Sequence, residues 1–179
     1  VLDLLSRTVR DDPRVIAIAG NHDLGLLDFL SQPRADSLFA NNGGEATARS
    51  YGVALRFYPE EVLLRGWDDL CRAIPEEHLR FLHGLKLSAC FGDLFFCHAG
   101  IRPGIPLEEQ EDADLVWIRE RFRHYAGLHP KLIVHGHTPH ERPEILPNRV
   151  NLDIGAFYTG RLAAMMFEGR TKRLLETAL

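Results

Sequence analysis

Long hydrophobic runs are missing from this chain of 179 residues. No apolar stretch approaches the roughly 18–20 residues that a membrane-spanning helix needs. An excess of basic charge is missing too: 21 Lys and Arg stand against 25 Asp and Glu, a formal net charge of −4. Dedicated nucleic-acid or membrane-surface proteins usually show a basic face, so no nucleic acid and no membrane are expected as partners. Cysteine is scarce and odd in number. Cys71, Cys90 and Cys97 are irregularly spaced, which does not read as a disulfide framework. Buried free thiols in a reducing cytosol are expected instead. Repeats, low-complexity segments and linkers are also absent, which points to one domain. What is present is ordinary: 45% apolar and 26% charged residues, the composition of a globular chain with a real core.

The hydrophobic period divides the chain. Residues 2–10 read as an amphipathic helix with no N-cap residue before it, so an N-terminal truncation is expected. Arg14–Ala19 is a short β-rich run and predicts a buried strand. It ends at Gly20-Asn21-His22-Asp23, with an apolar helical pattern after it. Residues 31–51, centred on Asn41-Asn42-Gly43-Gly44, predict a loop or lid. Residues 59–74 and 75–85 read as helices, the second opened by Pro and acids. Residues 85–91 and 94–97 predict a hairpin around Gly92-Asp93. A helix over 113–125 and strands at 131–134, 150–153 and 161–167 follow, with a last strand after Glu168-Gly169. The class is α/β.

Three segments share one design: AIAGNHD, FFCHAG and LIVHGHTP each run an apolar strand into a small polar turn with histidine. Strands ending at one sheet edge bring their loops together, and α/β proteins place ligand sites there. Asn21, His22, His98, His135 and His137 therefore become candidates to converge. Imidazole and amide oxygen suit Mn, Fe or Zn. A single histidine after a strand is at least as often a hydrogen-bonding residue, and Asn21 has a plain reading as a helix cap. Three such turns in one chain are harder to explain that way.

GNHD at 20–23, CHAG at 97–100 and HGHTP at 135–139 resemble the later motifs of the calcineurin-like metallophosphoesterases. Within that superfamily they resemble the PPP-type phosphatases, especially the bacterial serine/threonine phosphatase-like branch. NNGGEATARSYG, HAGIRPGIPLEEQ, LVWIRERF and NLDIGAFYTGRL agree, so the likeness covers nearly the whole chain. It implies a four-layer α/β/β/α sandwich and a cytoplasmic phosphoester hydrolase with two divalent transition metals, Mn first, Fe or Zn as alternatives. Asn21, His98 and His137 resemble the ligands of the second metal. His22 resembles the histidine that protonates the leaving-group oxygen. Arg119 resembles the arginine that grips phosphate, and Tyr158 a substrate-side tyrosine.

The chemistry suits those residue types. Two metals about 3.5–4 Å apart share a hydroxide and clamp phosphoryl oxygens for in-line attack. A guanidinium holds two phosphate oxygens as charge develops. An imidazole that titrates near neutrality is a good acid for an alkoxide. Without the resemblance, Arg119 reads as a surface ion pair on a helix. The resemblance favours His137 over His135. Strand alternation sends Cys97 into the core, Asp23 reads as a first-turn helix acid, and Trp67 and Trp117 read as packing residues. His78, His83, His124, His129 and His140 have no motif context.

The family's two earlier motifs, GDxHG and GDxxDRG, are not in this sequence. They carry the first metal's ligands and the bridging Asp. Residues 1–179 are thus expected to be the C-terminal part of one metallophosphoesterase domain, incomplete at its N-terminus. Alone, its three neutral ligands are expected to hold at most one metal weakly and to give little hydrolysis. The first functional expectation is a phosphoprotein serine/threonine phosphatase in the parent protein. The alternatives are a dinucleoside tetraphosphate hydrolase, which takes a small phosphoester, and a non-catalytic binding module.

Overall fold

The computed structural model describes residues 1–177. The chain divides into two compact units, Val1–Lys86 and Leu87–Leu179. The first is helical: α1 (Leu2–Asp11), α2 (Asn21–Ser31), α3 (Leu38–Asn41), α4 (Gly44–Ser50), α5 (Glu60–Ala73) and α6 (Glu76–His83). The starts of α5 and α6 follow from local chemistry. Each has proline at the N-cap and two glutamates in its first turn, where negative charge meets the positive end of the helix dipole. Leu63, Gly66 and Leu70 repeat at helical spacing and form the buried face of α5. Gly66 lets that face close on Leu55: a Cβ there would come 2.9 Å from a Leu55 methyl. Phe29 is the centre of this core and packs against the rings of Phe39 and Phe57. Trp67 packs on the same core, as expected, and its indole N–H donates to the Leu30 carbonyl at 3.0 Å.

Two expectations for this unit fail. Residues 31–51 are not one loop but contain α3 and α4. The Ser37 hydroxyl accepts from the Ala40 N–H and starts α3, and Gly43 takes a left-handed turn (φ 89°) that starts α4. The polar Asn-Asn-Gly-Gly run separates two helices rather than spanning a lid. Arg14–Ala19 forms no ladder among the described residues. Only Ile18 bridges, in parallel with Lys86, flanked by the bonds Ala19 N–H to Lys86 O (2.8 Å) and Lys86 N–H to Ala17 O (3.4 Å). Ile16 is 51% exposed, so the run is extended without being a buried strand. β-rich composition prefers a pleat but needs a paired neighbour to become one.

The second unit holds a five-stranded sheet in the order β1-β2-β3-β5-β4. Its strands are β1 (Ser88–Phe91), β2 (Leu94–Cys97), β3 (Leu132–His135), β4 (Glu144–Ile145) and β5 (Arg149–Asn151). β1 and β2 are the expected hairpin, with Gly92 at φ 55°. β2, β3 and β5 run parallel, and β4 closes antiparallel on β5. Phe95, Ile133 and Val150 are buried along these central strands. β6 (Ala163–Glu168) and β7 (Thr171–Glu176) pair separately. Short helices α7 (Asp112–Trp117), α8 (Glu120–Arg123) and α9 (Ala156–Thr159) complete the unit. The mixed sheet with helices bears out the α/β class.

The helix expected over 113–125 is broken at Ile118-Arg119. In an unbroken helix the Leu115 carbonyl would accept from the N–H of Arg119. Here the Ala99 N–H takes that carbonyl at 2.7 Å. The thiols are free but not uniformly buried. Cys97 is buried as expected, and burial pushes its thiol up to about 12. Cys71 is half-buried, while Cys90 lies on the exposed end of the edge strand β1.

Candidate functional site

Parallel neighbours end on the same edge of a sheet, so β2, β3 and β5 deliver their terminal turns together. Backbone bonds stitch those turns: Gly136 N–H to His98 O at 2.8 Å, Leu152 N–H to His135 O at 2.9 Å and His140 N–H to Asp153 O at 3.0 Å. Two expected residues meet there. His98 Nε2 faces His137 Nδ1 at 3.1 Å. His137 is the one non-glycine residue with positive φ (67°) among the described residues. Such a backbone costs on the order of 1–3 kcal/mol and collects at functional sites. Close packing sets the turn after His98: a Cβ on Gly100 would lie 2.3 Å from the Phe122 ring.

Arg119 joins this pair because of the helix break. Its Nε–H donates to His137 Nε2 at 3.2 Å, so it is not the helix-surface ion pair that residue type alone suggests. Trp117, on the other side of the break, meets the His137 ring edge-on at 5.7 Å and is 44% exposed. The indole packs on His137, in keeping with its reading as a packing residue. His135 lines the same cavity as the pair, but its Nδ1 faces the Gly136 carbonyl at 3.1 Å. It is buried with its ring edge-on to Phe122 at 4.9 Å. Burial pushes its pKa down to about 4, so it is neutral at ordinary pH.

A cavity of about 290 Å³ opens here, lined by His98, His137, Asp153 and Arg161 among others. Asp153 was not singled out from sequence. Its signal is present in NLDIG, a fourth short strand that ends in a polar residue and glycine. One Asp153 oxygen accepts from Gly155 N–H at 2.9 Å. Tyr158 sits on α9, 61% exposed, in T-shaped contact with Phe157 at 4.7 Å. Its ring lies over Gly155, where a Cβ would come 2.1 Å from the ring.

The facing imidazoles fit a divalent metal. Two metal–nitrogen bonds of about 2.1 Å at right or tetrahedral angles span about 3.0–3.4 Å, which matches the 3.1 Å separation. Among the described residues no group of three His, Cys, Asp or Glu is placed to hold a metal ion, so the pair is part of a donor set and not a whole one.

The remaining candidates lie in the first unit. Asn21 is the first residue of α2 and is buried. Gly20 is the N-cap at φ −98°, an angle any residue adopts, and Asn21 is inside the helix rather than its cap. Asp23 is the first-turn acid as expected, and its carboxylate accepts from the Gly20 N–H at 2.7 Å. His22 lines a cavity of about 590 Å³ within this unit.

No family model matches the chain. Over 49 residues, 27% of the chain, it is 43% identical to an asymmetrical bis(5'-nucleosyl)-tetraphosphatase, PrpE, of Anoxybacillus flavithermus. The matched stretch spans 19% of that relative's length. The fold is also that of a solved structure. The crystal structure of a candidate diadenosine tetraphosphatase superposes on 98% of this chain and 72% of its own, with a TM-score of 0.63 and 18% identity. The α/β architecture is therefore one shared with that solved structure. No helix is long and apolar enough to cross a membrane among the described residues.

Proposed function

We propose that the protein is a metal-dependent phosphoesterase that hydrolyses dinucleoside tetraphosphates. The carrying observation is the His98–His137 pair with Arg119 on the second imidazole. A divalent metal bound by such a pair supplies a Lewis acid and a hydroxide at neutral pH. The residues' own protons then set the next requirement. As it stands, Nε2 of His137 accepts from Arg119, so in the neutral ring its proton is on Nδ1, facing His98. For both facing nitrogens to act as ligands, that proton moves to Nε2. Nε2 then no longer accepts from Arg119, and the guanidinium turns to an anionic oxygen. Arg119 is thus poised to exchange an imidazole for a phosphate. Asn21, His22 and Tyr158 keep, in this reading, the ligand, acid and substrate-side roles that their motifs imply.

The motifs favour a phosphoprotein substrate first. The names of the two comparison proteins favour the tetraphosphate, and the reading follows them. The leaving group separates the two. A serine alkoxide needs a proton as it leaves, whereas a nucleotide phosphate is a far weaker base and needs little help. With Mn²⁺, the protein should hydrolyse diadenosine tetraphosphate faster than a phosphothreonine peptide. His22→Asn should cost about tenfold on the tetraphosphate and about a hundredfold or more on the peptide. Efficient hydrolysis of the peptide and not of the tetraphosphate would restore the phosphoprotein reading. Metal-independent indifference to both would leave the binding module.

A further inference from the structure

The cavity in the first unit has no part in the chemistry above, apart from His22 on its wall. At about 590 Å³ it has the size of a small-molecule site. Leu26 and Leu82 give it apolar surface, and Thr47 and Tyr51 give it hydroxyls. Among the described residues no Arg or Lys side chain lines it, while the carboxylates of Asp3 and Asp23 do. A phosphate would meet repulsion there; a neutral group with hydrogen-bonding edges would not.

One polar chain fixes what the cavity can read. His78 is buried and bonded at both ring nitrogens: Nε2 to Asp3 Oδ1 at 3.1 Å and Nδ1 to the Tyr51 hydroxyl at 2.9 Å. A carboxylate only accepts, so in the neutral ring Nε2 carries the proton and donates. Nδ1 must then accept, and the Tyr51 O–H donates to it. Burial, and then the charge of Asp3, raise the Tyr51 pKa and keep that proton in place. With its proton committed, the Tyr51 oxygen offers a ligand only lone pairs. The occupant must therefore bring an O–H or N–H donor, an apolar or aromatic body and no negative charge.

We infer that this cavity seats the nucleoside end of the substrate, its ribose or base donating to Tyr51 Oη and its body lying between Leu26 and Leu82. The inference rests on the nucleotide reading of the proposed function. A phosphoserine side chain has no group of this size to place there.

Adenosine, uncharged and without phosphate, is the probe, titrated into the metal-free protein and followed by amide NMR. Saturable shifts should fall on Thr47, Tyr51 and Leu82. Tyr51→Phe should weaken binding about tenfold, the effect of one lost hydrogen bond. Because Tyr51→Phe also unties His78, Ser50→Trp serves as a second variant. Ser50 lies exposed on the cavity rim, and an indole there should abolish the shifts while the melting curve stays cooperative. Shifts confined to other residues, or binding that neither variant weakens, would overturn the inference. So would inorganic phosphate producing the same shifts. These results stand apart from catalysis. Tetraphosphate hydrolysis without adenosine binding here sinks the cavity assignment and leaves the function. Adenosine binding without hydrolysis does the reverse.

Discussion

His78 in the first unit and His137 in the second both have ring nitrogens engaged by other side chains, and the partners differ in kind. His78 lies between a carboxylate and a phenol, each with a fixed donor or acceptor role. His137 lies between a second imidazole and a guanidinium, on a backbone with φ 67°. The first arrangement is complete as it stands and ties α1, α4 and α6 together. The second is an imidazole–imidazole hydrogen bond with a guanidinium donating to the far nitrogen, and in the proposed reading a metal and an anion would replace these partners.

Substitutions should separate these roles. The largest effect is on catalysis: His98→Ala or His137→Ala should lower Mn²⁺-dependent kcat by about a hundredfold or more, the loss typical of essential site groups. His78→Ala should instead appear in a melting curve, at about 1–3 kcal/mol, because it leaves buried polar groups unpaired. Equal melting losses in His78→Ala and His137→Ala would erase the contrast.

Next is acid stability in the second unit. Burial, with the Arg149 charge, lowers the His129 pKa, and burial takes His135 to about 4. Folded, these rings bind fewer protons than unfolded ones near the ordinary 6.5. The stability they contribute is complete above about pH 6.5 and falls as pH drops toward 4, by on the order of 3 kcal/mol for His135. Denaturant titrations across that range should show this slope, and His135→Gln should flatten it. Gly100→Ala should cost about 1–3 kcal/mol by driving a methyl into Phe122. The smallest effect concerns the His137 backbone. His137→Gly should be about 1 kcal/mol more stable than His137→Ala, because glycine accepts positive φ freely.

Much of the fold was legible because local chemistry and tertiary structure agree. Pro and paired Glu mark α5 and α6, and β2 and β3 are short apolar runs that end in histidine. The failures have physical causes outside the local pattern. The 113–125 periodicity continues through Arg119, but the break depends on Ala99, remote in sequence, capturing the Leu115 carbonyl. Residues 14–19 have the composition of a strand without a ladder to join. His98, His137 and Arg119, singled out by the motifs, lie in contact with one another. Asp153, which lines the cavity, was not singled out, since an acid after a strand acquires meaning only from its neighbours.

Mn²⁺ binding to the protein, measured by isothermal titration calorimetry with wild type, His98→Ala, His137→Ala and His135→Gln in parallel, tests the central claim most directly. The account predicts that each of the first two substitutions weakens binding at least about tenfold, while His135→Gln leaves it close to wild type. Unchanged affinity in His98→Ala and His137→Ala would contradict it, because the facing imidazoles would then not be metal ligands.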